Sequence, residues 1–374
     1  MKKKTYVVVG ITVLAFLCYL AFTAVTSKTQ TATAAKKMYN ATIYVATMGG
    51  HFAKADITID PNNTENPIKV NNLDKIDIGD KTSHPTHDAR IDDKDRNLMF
   101  WSTYHVDKNG KVHVGKSDLK TGNVIEDVAL DLDARTKPGP IYCGSGQTKD
   151  SFIPVVMASM PADSVAYIDV FDKKDLKLKH RVFLDELGYK PGGYLFYHGT
   201  NTPDMKKFVV VINLAENGKP IGKIDLLMLD LKELENGKVK VLTKNTITGE
   251  PGKTITFRQY FTADGKYLLQ SGADRFYLLD GKTLKLIDEE MMTNGENHDS
   301  MPTPDGKYAL LTLRQPIKVK LDEGSKDITD GSIQLYDMTA KKIVGKPAST
   351  CRKCHEDMHI DESAILCGID GNFK

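Results

Sequence analysis

The chain has 374 residues, with 51 Lys and Arg against 49 Asp and Glu, for a net charge of +2. So even a balance, with no basic arm or stripe, gives no reason to expect a nucleic acid as partner. Apolar residues at 40% and charged residues at 27% exclude a disordered chain, and five cysteines are too few for a disulfide scaffold.

The N-terminus carries Lys2, Lys3 and Lys4 ahead of an uncharged apolar run over residues 6–25. A segment rich in Ser, Thr and Ala follows, up to Ala35. This order is that of a secretory signal. The run is also long enough to span a bilayer as one anchor helix, since about 20 residues suffice. Residues 1–35 are therefore expected to be a signal peptide or membrane anchor, with Ala32, Ala34 and Ala35 marking a cleavage region. Residues 36–374 are expected to form one exported domain, in a periplasm or equivalent lumen. Contact with a membrane is expected only through the N-terminal segment, if it stays uncleaved.

From Tyr39 onward the pattern is short strands and tight turns, an all-β domain. Strands are predicted at 41–47, 97–104, 152–158, 165–171, 208–214, 224–229, 267–270, 308–313 and 333–336. One short helical stretch is predicted around 184–187. Asp264-Gly265-Lys266-Tyr267 is repeated as Asp305-Gly306-Lys307-Tyr308, and each is followed by a strand ending in an Asp-containing turn. The unit is roughly 40 to 55 residues long, the size of a four-stranded propeller blade. A lone sheet of this kind cannot bury a core; a closed ring of them can. The predicted blades are 40–80, 84–135, 140–188, 194–250, 254–293 and 298–350. Residues 361–373 then close the ring against the first blade or begin a seventh. Six or seven blades fit, and irregular insertions favour seven. A β-sandwich also explains short strands, but not the repeated Asp-Gly-Lys register.

Near the C-terminus, Cys351-Arg352-Lys353-Cys354-His355 is a CxxCH pentad. Two thiols at this spacing can add to the two vinyl groups of one haem, and the adjacent histidine can bind its iron. One covalent haem c is expected, held by Cys351, Cys354 and His355. A CxxC disulfide or an unmodified turn is the plainer alternative. Zinc fits less well, because no second ligand pair stands at zinc spacing. Met358 and His359 follow too closely to reach the opposite haem face with ease, although His359 could bind something else. A sixth ligand could come from another blade, as His84, His87 or His298, or from a partner, or the position could be open. Cys143 and Cys367 could pair in an oxidising compartment or remain two buried thiols.

The histidines recur at one point of the blade. His87-Asp88 and His298-Asp299 each precede a repeated strand, and His198 does so one residue tighter. His355 precedes one with further shortening. Such loops open near a propeller axis, so these imidazoles, with His84 and His105, could converge on a second metal, a haem edge or a small nitrogen or oxygen species. The competing reading is that each His–Asp pair ties a turn. His51, His113 and His180 are expected to be ordinary surface or turn residues. Trp101 and Tyr104 are expected to pack in the core. Glu296, Asp299 and Arg314 are polar near the same face. No Gly-rich phosphate loop, Ser-His-Asp arrangement or catalytic carboxylate pair stands out, and no catalytic residue is assigned.

Pro304-Asp305-Gly306-Lys307-Tyr308-Ala309-Leu310-Leu311, followed by Ile333-Gln334-Leu335-Tyr336-Asp337, resembles the YVTN and cytochrome d1-like propellers. With the export segment, CxxCH and the His-Asp loops, the chain is similar to the propeller subunit of hydrazine synthase. That resemblance implies a multi-haem redox complex of nitrogen metabolism that joins nitric oxide and ammonium into hydrazine. It implies multi-haem cytochrome subunits as partners and the anammoxosome as the compartment. The propeller would serve as scaffold and electron conduit, with the chemistry on the partners. One alternative is a self-sufficient cytochrome d1-like or copper-containing propeller oxidoreductase. Another is a binding propeller without catalysis.

Overall fold

The computed structural model describes residues 35–157, 163–321, 324–350, 355 and 368–374. The predicted signal or anchor, Cys351, Cys354, Met358, His359 and Cys367 lie outside the described residues. Among the described residues, no helix is long and apolar enough to cross a membrane.

Six four-stranded antiparallel sheets follow one another along the chain. The first holds β1 (Tyr39–Ala46), β2 (His51–Ile59) and β3 (Ile68–Asp77). The second holds β4 (Thr86–Ile91), β5 (Leu98–Thr103), β6 (Lys111–Asp118) and β7 (Val124–Asp131). The third is β8 (Tyr142–Gln147), β9 (Ser151–Val156), β10 (Tyr167–Asp172) and β11 (Leu178–Val182). The fourth is β12 (Tyr194–Asn201), β13 (Lys207–Glu216), β14 (Lys219–Asp230) and β15 (Val241–Thr248). The fifth is β16 (Thr256–Phe261), β17 (Tyr267–Gly272), β18 (Arg275–Asp280) and β19 (Leu286–Met291). The sixth is β20 (Glu296–Pro302), β21 (Tyr308–Leu321), β22 (Gly324–Asp337) and β23 (Lys342–Ser349). The last strand, β24 (Ile369–Phe373), returns to the first sheet and pairs with β1, Ala41 opposite Phe373 and Val45 opposite Ile369.

The first strand of each of sheets two to six, and β24 in the first, line the axis. Each touches the next round the ring: β4 with β8, then β12, β16, β20, β24 and back to β4. Burial follows the same geometry. The inner β4 and β8 are buried at every position, while the outer β7 alternates between exposed and half-buried residues. Each pair of neighbouring sheets encloses its own apolar core. Trp101 packs with Tyr44 and Phe52 between blades one and two, and Leu310 and Leu335 pack with Ile43 between blades six and one. A closed ring leaves no sheet face without a partner, which is why units that are unstable alone form one domain.

The ring therefore has six blades and not seven. Residues 369–373 supply the closing strand instead of opening another blade. The irregular spacing has a different origin: β21 and β22 are 14 residues each and form a hairpin longer than the sheet needs. The helical stretch near residue 184 is a single 3-10 turn, Asp185–Leu187. A five-residue helix, α1 (Leu231–Glu235), had no signal in the periodicity. Asp230 caps it by accepting from the Lys232 and Glu233 amides.

Candidate functional site at the propeller axis

The repeated His-Asp dipeptide is a bulge in the inner strand. Pairing of β4 with β5 slips between Thr86 and Asp88, which leaves His87 as the extra residue. Pairing of β20 with β21 slips between Asn297 and Asp299 and leaves His298. In β16 the slip lies between Thr256 and Gln259 and takes in Phe257 and Arg258. A bulge bends its strand and re-aims the extra side chain.

A second register explains what fills the axis. In each of blades two to six one amide closes the first hairpin: those of Asp92, Thr148, Thr202, Thr262 and Thr303. Four positions earlier stand Asp88, Gly144, His198, Arg258 and Asp299. This is one structural slot, occupied five times by four residue types. Three of its occupants, from blades two, five and six, meet. Arg258 Nη2 lies 2.6 Å from Asp88 Oδ1, and its Nε lies 3.2 Å from Asp299 Oδ2. Arg258 Nη1 also donates to the His87 carbonyl at 2.8 Å. All three side chains are fully buried. Burial pushes the Asp299 carboxyl up, against the pull of Arg258 and Arg90. The Ile369 amide donates to Asp299 as well, tying the closing strand to the axis. Arg90 donates across the axis to the carbonyls of Ser145 and Gln259, and its guanidinium lies 4.7 Å from the Tyr260 ring centre. Beyond it, the other end of the axis opens into a cavity of about 390 Å³ lined by Arg90, Thr200, Asn201, Tyr260, Met301 and Asp370.

The imidazoles gather around Arg258. His87, His198 and His298 are all buried. Phe257 stacks on His298, with ring centres 4.1 Å apart and planes at 14°, and stands 6.0 Å from His198. Tyr104 covers His87 at 3.9 Å, and His105 lies against Tyr104 at 4.4 Å. Both ring nitrogens of His87 are buried without a hydrogen-bond partner. Burial pushes the His198 imidazole down to about 3, helped by Arg258 and His298. Burial first, then His298, Arg258, His198 and His105, hold His87 well below its ordinary value. His298 is lowered by burial against a hydrogen bond to Glu296. These imidazoles are neutral at pH 7, the form that binds a metal.

The structure thus brings His87, His198 and His298 to the axis, with His105 at the edge of the group. His198 occupies the slot of Asp88 and Asp299 and not that of His87. Asp88 and Asp299 bind Arg258 instead of tying turns for their own histidines. His84 is not in this group; it lies against Asp127 at 3.0 Å. Glu296 pairs with Arg314 at 3.0 Å. His355 is buried, and Cys143 is a free thiol packed with Met157, Leu195 and Ala215. Trp101 is core, donating to Ser117 Oγ at 3.0 Å, whereas Tyr104 belongs to the axial group. His180 is exposed as expected. His51 is buried and bonded to Thr47, and His113 is held by Asp127 at 2.9 Å, so neither is an ordinary surface residue. Sequence reasoning missed Arg258 and Phe257, although counting back from the turn threonines reaches both.

Neither the family models nor the curated proteins give a match to the sequence. Among solved structures, the fold is similar to Kuenenia stuttgartiensis hydrazine synthase, with a TM-score of 0.42 and 14% identity. The likeness covers 67% of this chain and 63% of that one, so the chain spans less than two thirds of its neighbour's length.

Proposed function

We propose that this chain is an exported haem c propeller that serves as scaffold and electron conduit in an oxidoreductase complex of nitrogen metabolism. One observation carries the haem reading: His87 presents two buried ring nitrogens without hydrogen-bond partners, beside other neutral imidazoles. The segment that bears CxxCH runs between Thr350 and Gly368, and Gly368 abuts both Arg258 and the His87 carbonyl. Cys351 and Cys354 would hold the porphyrin through thioethers, and His355 would bind its iron. A bound haem supplies a one-electron iron couple. His87 is the best candidate for a further iron ligand, because His84 is engaged by Asp127 and His298 is stacked on Phe257. Tyr104 and Phe257 would wall the site from water, and the Arg258 charge would favour the reduced state of a nearby centre. The likeness of the blade pattern, export segment, CxxCH and His-Asp loops together to the propeller subunit of hydrazine synthase supports multi-haem subunits as the expected partners.

The test is expression with haem c maturation. The wild-type chain is expected to keep haem through a denaturing gel, and Cys354→Ala to lose it. His87→Ala is expected to keep the covalent haem while its ferric spectrum shifts from low to high spin. A Cys354→Ala protein with normal haem content would overturn the attachment site. The convergence of His87, His198 and His298 favours a second reading, a self-sufficient oxidoreductase with a copper or d1-type centre of its own. Copper or a second porphyrin in the isolated native chain would select it.

A further inference from the structure

We infer that His84, His113 and Asp127 form a site for a divalent cation of the zinc class on the flank of blade two, separate from the axis. Among the described residues they are the one group of three ligating side chains whose donor atoms all lie within 4.8 Å of one another. His84 Nε2 is 3.0 Å from Asp127 Oδ2, and His113 Nδ1 is 2.9 Å from Asp127 Oδ1. The two imidazole centres are 4.4 Å apart. One nitrogen of each ring and one carboxylate therefore face a common point.

The remaining nitrogens are placed as metal-bound histidines require. A ligating imidazole normally gives its second N–H to an oxygen, which fixes ring and tautomer. His84 Nδ1 lies 2.7 Å from Ser83 Oγ. His113 Nε2, buried and without a hydrogen-bond partner, faces Asp107 Oδ2 at 3.6 Å. With the metal-facing nitrogens deprotonated, both outer oxygens already stand in position to accept.

The fold holds the site rigidly. His113 on β6 and Asp127 on β7 are diagonal neighbours, since Asp127 pairs with Gly115 and His113 with Ala129. His84 arrives from the loop entering the blade. Its ring packs edge-on to Trp101 at 5.7 Å and lies over Gly79, where a Cβ would collide with it. The histidine side chains are 10% and 12% exposed and that of Asp127 is 32%, so one side reaches water. Three protein ligands with an open fourth position for water is an established zinc geometry. Two imidazoles and one carboxylate suit zinc or copper better than magnesium or calcium, which prefer oxygen. A bound ion would cross-link the entry loop to the outer half of the sheet.

The test uses the full chain, stripped with a chelator and dialysed against micromolar zinc chloride. The wild type is expected to hold one more zinc equivalent than Asp127→Asn, while Asp107→Asn should bind the ion several-fold more weakly. Equal zinc content in wild type and Asp127→Asn would overturn the site. Zinc-edge anomalous scattering from wild-type crystals gives an answer even if a variant fails to fold. A peak is expected about 2.0–2.2 Å from the three donor atoms; no peak there would also overturn it.

Discussion

Two groups of histidines in this propeller differ in how they are assembled and in what their surroundings do to them. At the axis, His87, His198 and His298 come from blades two, four and six and meet only because the ring closes. On the flank, His84 and His113 belong to one blade and share one carboxylate. At the axis, burial keeps the imidazoles neutral, helped by the Arg258 charge at His87 and His198. On the flank, the hydrogen bond to Asp127 outweighs burial and pushes the His113 imidazole up, while Asp127 is held well below its usual range by both histidines despite burial. The same side chain is set to opposite behaviour by burial in one group and by a carboxylate in the other. Neutral imidazoles can ligate a metal without first losing a proton, whereas imidazoles beside a carboxylate suit a borderline cation such as zinc.

The axial group loses most if Arg258 is removed. Arg258→Met leaves Asp88 and Asp299 buried without their cation, and unfolding by urea should show a loss of about 3–5 kcal/mol. A loss below about 1 kcal/mol would mean that the axial charges are solvated. The next largest effect is pH-dependent. Because the axial imidazoles have folded values below 6.5, the unfolded chain takes up protons that the folded chain refuses as pH falls below 6.5. Stability should therefore drop with falling pH. His198→Phe should recover on the order of 2 kcal/mol at pH 5 relative to its effect at pH 8. An equal effect at both pH values would contradict the account. Gly368→Ala places a Cβ 2.5 Å from Arg258 Nη1 and should cost about 1–2 kcal/mol in a thermal melt. The smallest effect has the opposite pH sense. The folded value of His113 is raised, so its contribution is complete below 6.5 and is lost as pH rises through the folded value. In chelator, His113→Asn should therefore cost about 1 kcal/mol at pH 6 and less at pH 9.

Much of the fold was legible because each blade repeats its turn chemistry. The Asp-Gly-Lys register and the Asp-ended strands placed all six sheets to within a few residues. The count erred toward seven because the long β21–β22 hairpin lengthens one blade without adding a sheet. The axis was half legible. His87 and His298 stood out as a repeated dipeptide, but the pairing of Arg258 with Asp88 and Asp299 joins residues about 170 and 40 positions apart, which only ring closure brings together. His113 was passed over because it alternates with Val112 and Val114, as any outward-facing strand residue would. Its partner is set by strand pairing, which has no local signal.

The proposed function rests on one haem c in this propeller. A pyridine haemochrome spectrum of native, exported protein, referred to protein concentration, tests it most directly. A haem c propeller is expected to give a c-type spectrum at one haem per chain. A protein with no covalent haem, whose Cys351 and Cys354 are joined as a disulfide, would contradict it.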